Sequence, residues 1–212
     1  MLIYKSLQNY TYFFNYFLFN RKFFVILPSN YFQSKMKKET ENPIYARNTL
    51  EFVTVSAEFC AYLEKPENRK RGEFIDTMLK LLPLLYLKAQ MLPEVDSMGD
   101  FLPDDQVTYQ DYQWVRETVA QLMQEADEYE DLTIDEGTQG IVNRWKSISE
   151  GIADIWQPLR NFVTVYQQRV EACMLDALWS VSDSFELYWG EDVLSTLRQL
   201  HRIKYVLNSN GE

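Results

Sequence analysis

Histidine and cysteine are almost missing from this chain, which has one His and two Cys in 212 residues. A zinc centre takes three or four His, Cys or carboxylate ligands, and His201, Cys60 and Cys173 lie too far apart in sequence to form a ligand motif. A carboxylate di-metal bundle would carry Glu-x-x-His on two helices, and no such pair occurs. Nucleophilic catalysis needs a base beside the nucleophile, and the lone imidazole offers little. His201 reads instead as a cation in the last turn of its helix, where the dipole favours it. Each cysteine sits in an apolar helical pattern, so both read as buried thiols in a reducing compartment. Glycine is scarce as well, with seven residues. Gly137-x-x-Gly140 has neither a following Lys-Ser/Thr nor an expected preceding strand, so no phosphate loop is read there.

Acid, glycine and alanine are wholly absent from the first 35 residues, while 12 of those residues are Phe or Tyr. A secretory signal would place roughly 7–15 unbroken apolar residues before a small-residue cleavage site. Here Asn15, Asn20, Arg21 and Lys22 interrupt the apolar stretches, and no such site follows. A membrane span needs about 20 mostly apolar residues, which the segment never assembles. Phe, Tyr, Asn, Lys, Ile and Leu have AT-rich codons, and the missing Gly and Ala need GC-rich ones. The segment therefore reads as a non-native or disordered extension ahead of a start at Met36. The alternatives are a membrane-surface tether and a real structural extension. Residues 36–212 are expected to form one domain, large enough to bury a core without staples.

Charge divides at the same place. Residues 1–35 carry four basic residues and no acidic one, whereas the rest carries 17 basic and 31 acidic, a net −14. That balance weighs against nucleic acid, whose binding rests on Lys and Arg, and against anionic membrane surfaces. It admits a basic protein partner. With no export signal, the protein is expected to be cytoplasmic.

What is present is helical periodicity. Tyr45, Asn48, Phe52, Val55, Phe59 and Tyr62 step by three and four, with Pro43 near the start. A second helix, Glu73 to about Leu92, is apolar nearly all round and is expected to be central, with a kink at Pro83. Thr108-x-x-Asp111 reads as a capped start for a third helix, Tyr112 to Tyr129. An acidic end and linker follow, broken at Gly137 and Gly140. The fourth helix is predicted from Ile141 through Trp145 and Ile148 to Tyr166, interrupted at Pro158. The fifth runs from Val170 to Tyr188 and stops at Trp189-Gly190, and the sixth spans Val193 to His201. No long period-two stretch is read, so the fold class is all-α, an antiparallel bundle of five to six helices.

Candidate sites are few. Asp183 with Glu186, and Glu150 with Asp154, are spaced to share a helix face and converge on a cation, although solvated faces explain both pairs. Asp96, Asp100, Asp104 and Asp105 do not match the spacing of a calcium loop. Arg69-Lys70-Arg71 reads as a solvated loop. No catalytic residue, metal ligand or cofactor is assigned.

Two stretches carry a resemblance. One is Ser147-Ile148-Ser149-Glu150 through Asp154-Ile155-Trp156. The other is Ala177-Leu178-Trp179, Phe185-x-x-Tyr188-Trp189-Gly190, Val193-Leu194 and Leu197-Arg198-x-Leu200-His201. With Pro43 to Leu63, they resemble an uncharacterised bacterial family of all-helical cytosolic proteins, known only as a domain of unknown function. The resemblance spans Pro43 to His201, supports a start at Met36 and implies no catalytic residues. The leading functional expectation is an acidic protein-interaction domain, adaptor or regulatory, rather than an enzyme. Its expected partner-binding residues are Glu125, Asp127, Glu128, Glu130 and Trp189. Two alternatives stand beside it: a small-ligand or metal-dependent binder or enzyme using bundle carboxylates, and a membrane-surface protein tethered by residues 1–35.

Overall fold

Phe52, Val55, Phe59 and Leu63 form a buried stripe on the first long helix, at the spacing their sequence positions require. The computed structural model describes residues 42–65, 69–96, 106–134, 137 and 140–207. The expectations for residues 1–35 and for Asp100, Asp104 and Asp105 fall outside them.

A short 3-10 turn, Pro43–Tyr45, opens the described fold, with the Asn42 side chain accepting from Ile44 N. Helix α1 is Arg47–Glu64 and α2 is Arg71–Ala89. Helix α3, Tyr109–Met123, starts on a complete capping box between Thr108 and Asp111. Two strands follow, β1 at Glu128–Ile134 and β2 at Ile141–Ser147. Helix α4 is Ile148–Gln168, α5 is Glu171–Ser184 and α6 is Gly190–Arg202. A π turn, Phe185–Trp189, joins α5 to α6 without leaving helical backbone angles.

The bundle is all-α apart from this small sheet, and α4 is its centre. It packs against α1, α3, α5 and α6. Eleven of its residues are buried, among them Ile148, Ile152, Ile155, Leu159 and Phe162. Helix α2 was expected to hold that place, but its Pro83 and Leu87 are exposed. Neither proline stops its helix: Pro83 lies inside α2 and Pro158 inside α4. An aromatic cluster ties the layers together. The ring centroids of Phe52 and Phe162 are 5.3 Å apart, those of Phe185 and Trp189 4.6 Å, and those of Tyr86 and Phe185 5.1 Å.

The hairpin overturns part of the helical reading. Tyr129, Ile141 and Trp145 match a helical step in sequence, yet all three lie on strands. A residue with positive φ, Gln124 at 52°, breaks α3 five residues before the predicted helix end at Tyr129. Beyond it, exposure alternates: Glu128 is out, Tyr129 in, Glu130 out, Asp131 in and Leu132 out. Strand β1 therefore does precede Gly137, although the Lys-Ser/Thr of a phosphate loop is still missing.

Gly190 does not end the helix as the sequence predicts. A glycine past a helix usually ends it, but here φ is −64° and the helix runs on. The Gly190 N–H reaches Phe185 O, five residues back. A β-carbon at this position would sit 2.5 Å from that oxygen. Glycine is needed for the close approach inside the π turn, not for a stop.

Candidate functional site

Two surfaces stand out, and the strand pairing explains the first. The register sets Glu128 opposite Ser147, Tyr129 opposite Lys146, Glu130 opposite Trp145, Asp131 opposite Arg144 and Leu132 opposite Asn143. Opposed residues share a face, so Tyr129, Asp131, Arg144 and Lys146 lie on one side and Glu128, Glu130, Leu132 and Trp145 on the other. The first side anchors the hairpin. Asp131 is buried, bonded by the Arg198 guanidinium of α6, with Lys146 Nζ 3.7 Å away. Lys146 also reaches Glu191 at 3.8 Å. A lone two-stranded hairpin is marginal in water, and these ties to α6 hold it in place.

The second side is open to solvent. Trp145 is 70% exposed, Leu132 67% and Ile141 75%. Trp145, Leu132 and Ile141 thus put three exposed apolar side chains on one hairpin face, the kind of grouping that contact surfaces use. Glu128 and Glu130 lie on the same face, both exposed. Each strand has only the other as partner among the described residues, so the outer backbone edges are unpaired by strands.

The second surface is a cleft of about 470 Å³ between α4 and the α5–α6 ribbon. Asp154, Gln157 and Phe162 line it from α4, Ser180 from α5, Trp189 from the π turn and Asp192 from α6. One residue inserted into a helix turns everything downstream by about 100°. The π turn thus sets which face of α6 meets α4 and brings Asp192 to the cleft that Asp154 lines. The Tyr112 hydroxyl of α3 donates to Asp154 Oδ1 at 2.7 Å. Burial raises the pKa of Asp154, with Glu150 adding to the rise, while the Tyr112 bond and the Arg116 and Lys146 charges oppose it. Burial also pushes Asp192 up to about 6, helped by Asp154, Glu191 and Glu150 and opposed by Lys146. Pro158, also at the cleft, has no N–H to give the Asp154 carbonyl one turn back.

The five expected partner-binding residues separate. Glu128 and Glu130 sit on the outer hairpin face. Glu125 is exposed and paired with Arg71 at 2.8 Å, which holds its carboxyl below the usual range. Asp127 is 8% exposed and spends both oxygens on Ser149, so it caps α4 and presents nothing outward. Trp189 is 1% exposed, its indole N–H donating to Val181 O at 3.1 Å. It forms a wall of the cleft instead of a surface anchor.

The other sequence candidates are also placed. Asp183 and Glu186 are exposed, and no group of three His, Cys, Asp or Glu able to hold a metal occurs among the described residues. Cys60 and Cys173 are free thiols, the first buried and the second half-buried. Burial drives the Cys60 pKa far up, leaving an inert thiol. His201 is exposed in the last turn of α6, its ring 4.8 Å from Tyr205. Arg69 lies over the Tyr62 ring at 4.0 Å and Arg71 bonds Met123 O, so the basic cluster is largely structural. No helix among the described residues is long and apolar enough to cross a membrane.

A central helix wrapped by four others, with an anchored hairpin at its N-terminus, defines a class of small helical domain. The chain belongs to the family described as a domain of unknown function, DUF5063, whose model matches residues 43–206. The crystal structure of protein BF1032 from Bacteroides fragilis is similar, with 41% sequence identity and a TM-score of 0.69. The similarity covers 77% of this chain and 96% of that one. Comparison with curated proteins finds no match.

Proposed function

We propose that this chain is a cytoplasmic protein-interaction domain that docks a partner on the outer face of its hairpin. The observation that carries the reading is the bare Trp145, with Leu132 and Ile141 on the same hairpin and Glu128 and Glu130 beside them. Apolar anchors beside carboxylates fit a partner segment that alternates aliphatic side chains with Lys or Arg. Aromatic anchors supply most of the energy in such contacts, and the carboxylates set on-rate and partner choice. The net −14 of residues 36–212 favours a basic partner over an acidic one.

The test compares a tagged 36–212 chain with its Leu132→Ser/Trp145→Ser form as bait in host cytosol. The expected result is one partner at near-equal amount with the parent and none with the variant, at equal melting temperature. Glu128→Gln/Glu130→Gln should weaken capture and flatten its salt dependence. A partner retained equally by both forms, or a parent chain that captures nothing, would overturn the reading.

A further inference from the structure

The cleft between α4 and α6 is separate from the hairpin face and has its own chemistry. Its volume, about 470 Å³, falls in the range of small-ligand sites and far exceeds what a bare ion fills. Its walls are of two kinds. Pro158 and the exposed Tyr188 offer apolar surface over the buried Phe162 and Trp189, while Gln157 and Ser180 offer neutral hydrogen-bonding groups. Asp154 and Asp192 offer carboxylates from two different helices. Taking acid out of water is costly unless it is paired, and half-buried Asp192 has the charge of Lys146 to oppose it but no side-chain hydrogen bond among the described residues. Asp154 has the Tyr112 hydroxyl on one oxygen. The fold also spends two irregularities here: the π turn that brings Asp192 round, and Pro158, which removes the helical donor from the Asp154 carbonyl.

We propose that this cleft binds an organic cation, an ammonium or guanidinium group on a short carbon chain, with Asp154 and Asp192 holding the charge and Pro158 and Tyr188 the methylenes. A metal ion fits less well, because no third metal-ligating side chain joins the pair among the described residues. A neutral ligand would leave two carboxylates facing an apolar wall. A free amine and a Lys or Arg side chain carry the same group, so the test separates them. The charged and titratable groups around Asp192 are Asp154 and Glu150 on α4, Glu191 beside it on α6, Lys146 on β2, Tyr129 on β1 and Tyr188 of the π turn, with Tyr112 and Arg116 of α3 against Asp154.

The experiment is calorimetry on the intact chain with 1,4-diaminobutane, spermidine, free arginine, and peptides with one central Lys or Arg. Magnesium chloride and sodium chloride at matched ionic strength are the controls. At pH 7.5 at least one amine or guanidine is expected to bind saturably. Asp154→Asn and Asp192→Asn should each weaken it about tenfold or more, the loss of one charge-assisted hydrogen bond. Glu186→Gln, an exposed acid outside the cleft, should not. Affinity should fall at pH 5, where Asp192 is protonated and the amines stay charged. Tighter binding of free amines identifies a small molecule, and tighter binding of peptides identifies a partner's side chain. Circular dichroism confirms that each variant is folded. No saturable binding by any amine, binding untouched by either Asn variant, or equal competition from magnesium would overturn the proposal.

Discussion

Asp127 grips Ser149 with both carboxylate oxygens, one accepting from the backbone N–H at 2.8 Å and the other from the hydroxyl at 2.6 Å. Its own carbonyl takes the Ile148 N–H at 2.9 Å. The first turn of the central helix is thus closed by a residue 22 positions upstream, on the far side of the hairpin. Ser147 adds the ordinary cap by accepting from Glu150 N at 3.2 Å.

Replacing Asp127 therefore costs stability, unlike replacing its acidic neighbours. Asp127→Ala strips two donors of their partner at a buried helix start and should cost about 2 kcal/mol. Glu128→Gln and Glu130→Gln, at exposed strand positions, should stay within about 0.5 kcal/mol. Urea unfolding of the three variants measures the contrast, and equal midpoints would refute it.

A second prediction concerns the hairpin anchor. Asp131 is buried against Arg198 and Lys146, and its removal leaves two cations facing each other. Asp131→Ala should cost roughly 1–3 kcal/mol, less than a fully buried pair because the Arg198 side chain is partly exposed. The loss should be local first. Hydrogen exchange is expected to quicken across 128–134 and 141–147 while the α4 amides stay protected. Uniform quickening would place the hairpin in the same cooperative unit as the bundle.

Asp192 gives a pH dependence with a fixed sign. Its folded pKa, about 6, lies above the 3.8 of an ordinary aspartate. The native state therefore holds the proton more tightly than the unfolded chain, and stability from this group falls as pH rises from about 3.8 to about 6. Asp192→Asn should stabilise the fold at pH 7.5 by about 1 kcal/mol after allowance for solvent screening at a half-buried site, read as a higher melting temperature. Below pH 3.8 the advantage should vanish. A variant that is destabilised at pH 7.5 would show that the carboxylate is a structural element.

Gly151 offers a double-mutant test of the α4–α6 contact. A β-carbon there would lie 2.4 Å from Thr196 Oγ1. That hydroxyl is buried with no hydrogen-bond partner among the described residues. Gly151→Ala alone should cost about 1–3 kcal/mol by overpacking. Thr196→Ala alone removes an unpaired buried hydroxyl and should be mild. In the double variant the alanine at 151 gains room, so the penalties should not add. Additive penalties would mean that the helices already part by relaxation elsewhere.

Most helices were legible because their apolar residues step by three and four, and Thr108 with Asp111 announced the start of α3 outright. The hairpin was hidden by coincidence of period: Ala126–Tyr129 extends the spacing of α3, and Ile141–Trp145–Ile148 matches that of α4. The contrary cue was local, since β-branched Thr133, Ile134, Ile141 and Val142 flank Gly137 and Gly140. Tertiary ties through Asp131 then decide the outcome. Of the cleft's two carboxylates only Asp154 was singled out, paired with Glu150 on one helix face, and that pair was explained by a solvated face. Asp192 was not singled out, because it lies 38 residues from Asp154 and arrives there only through the π turn. Trp189 looked like a surface residue beside a helix stop, and becomes core once the helix continues.

The π turn also governs which length changes the chain tolerates. Between β1 and β2 a residue gained or lost falls near a hairpin end, where the ladder can absorb it. Between Phe185 and Gly190 the count is fixed by everything that follows. Losing one residue would swing Val193, Thr196 and Leu200 out of the core and carry polar side chains in. In this chain a change of length at the π turn would therefore require the whole last helix to be rewritten with it.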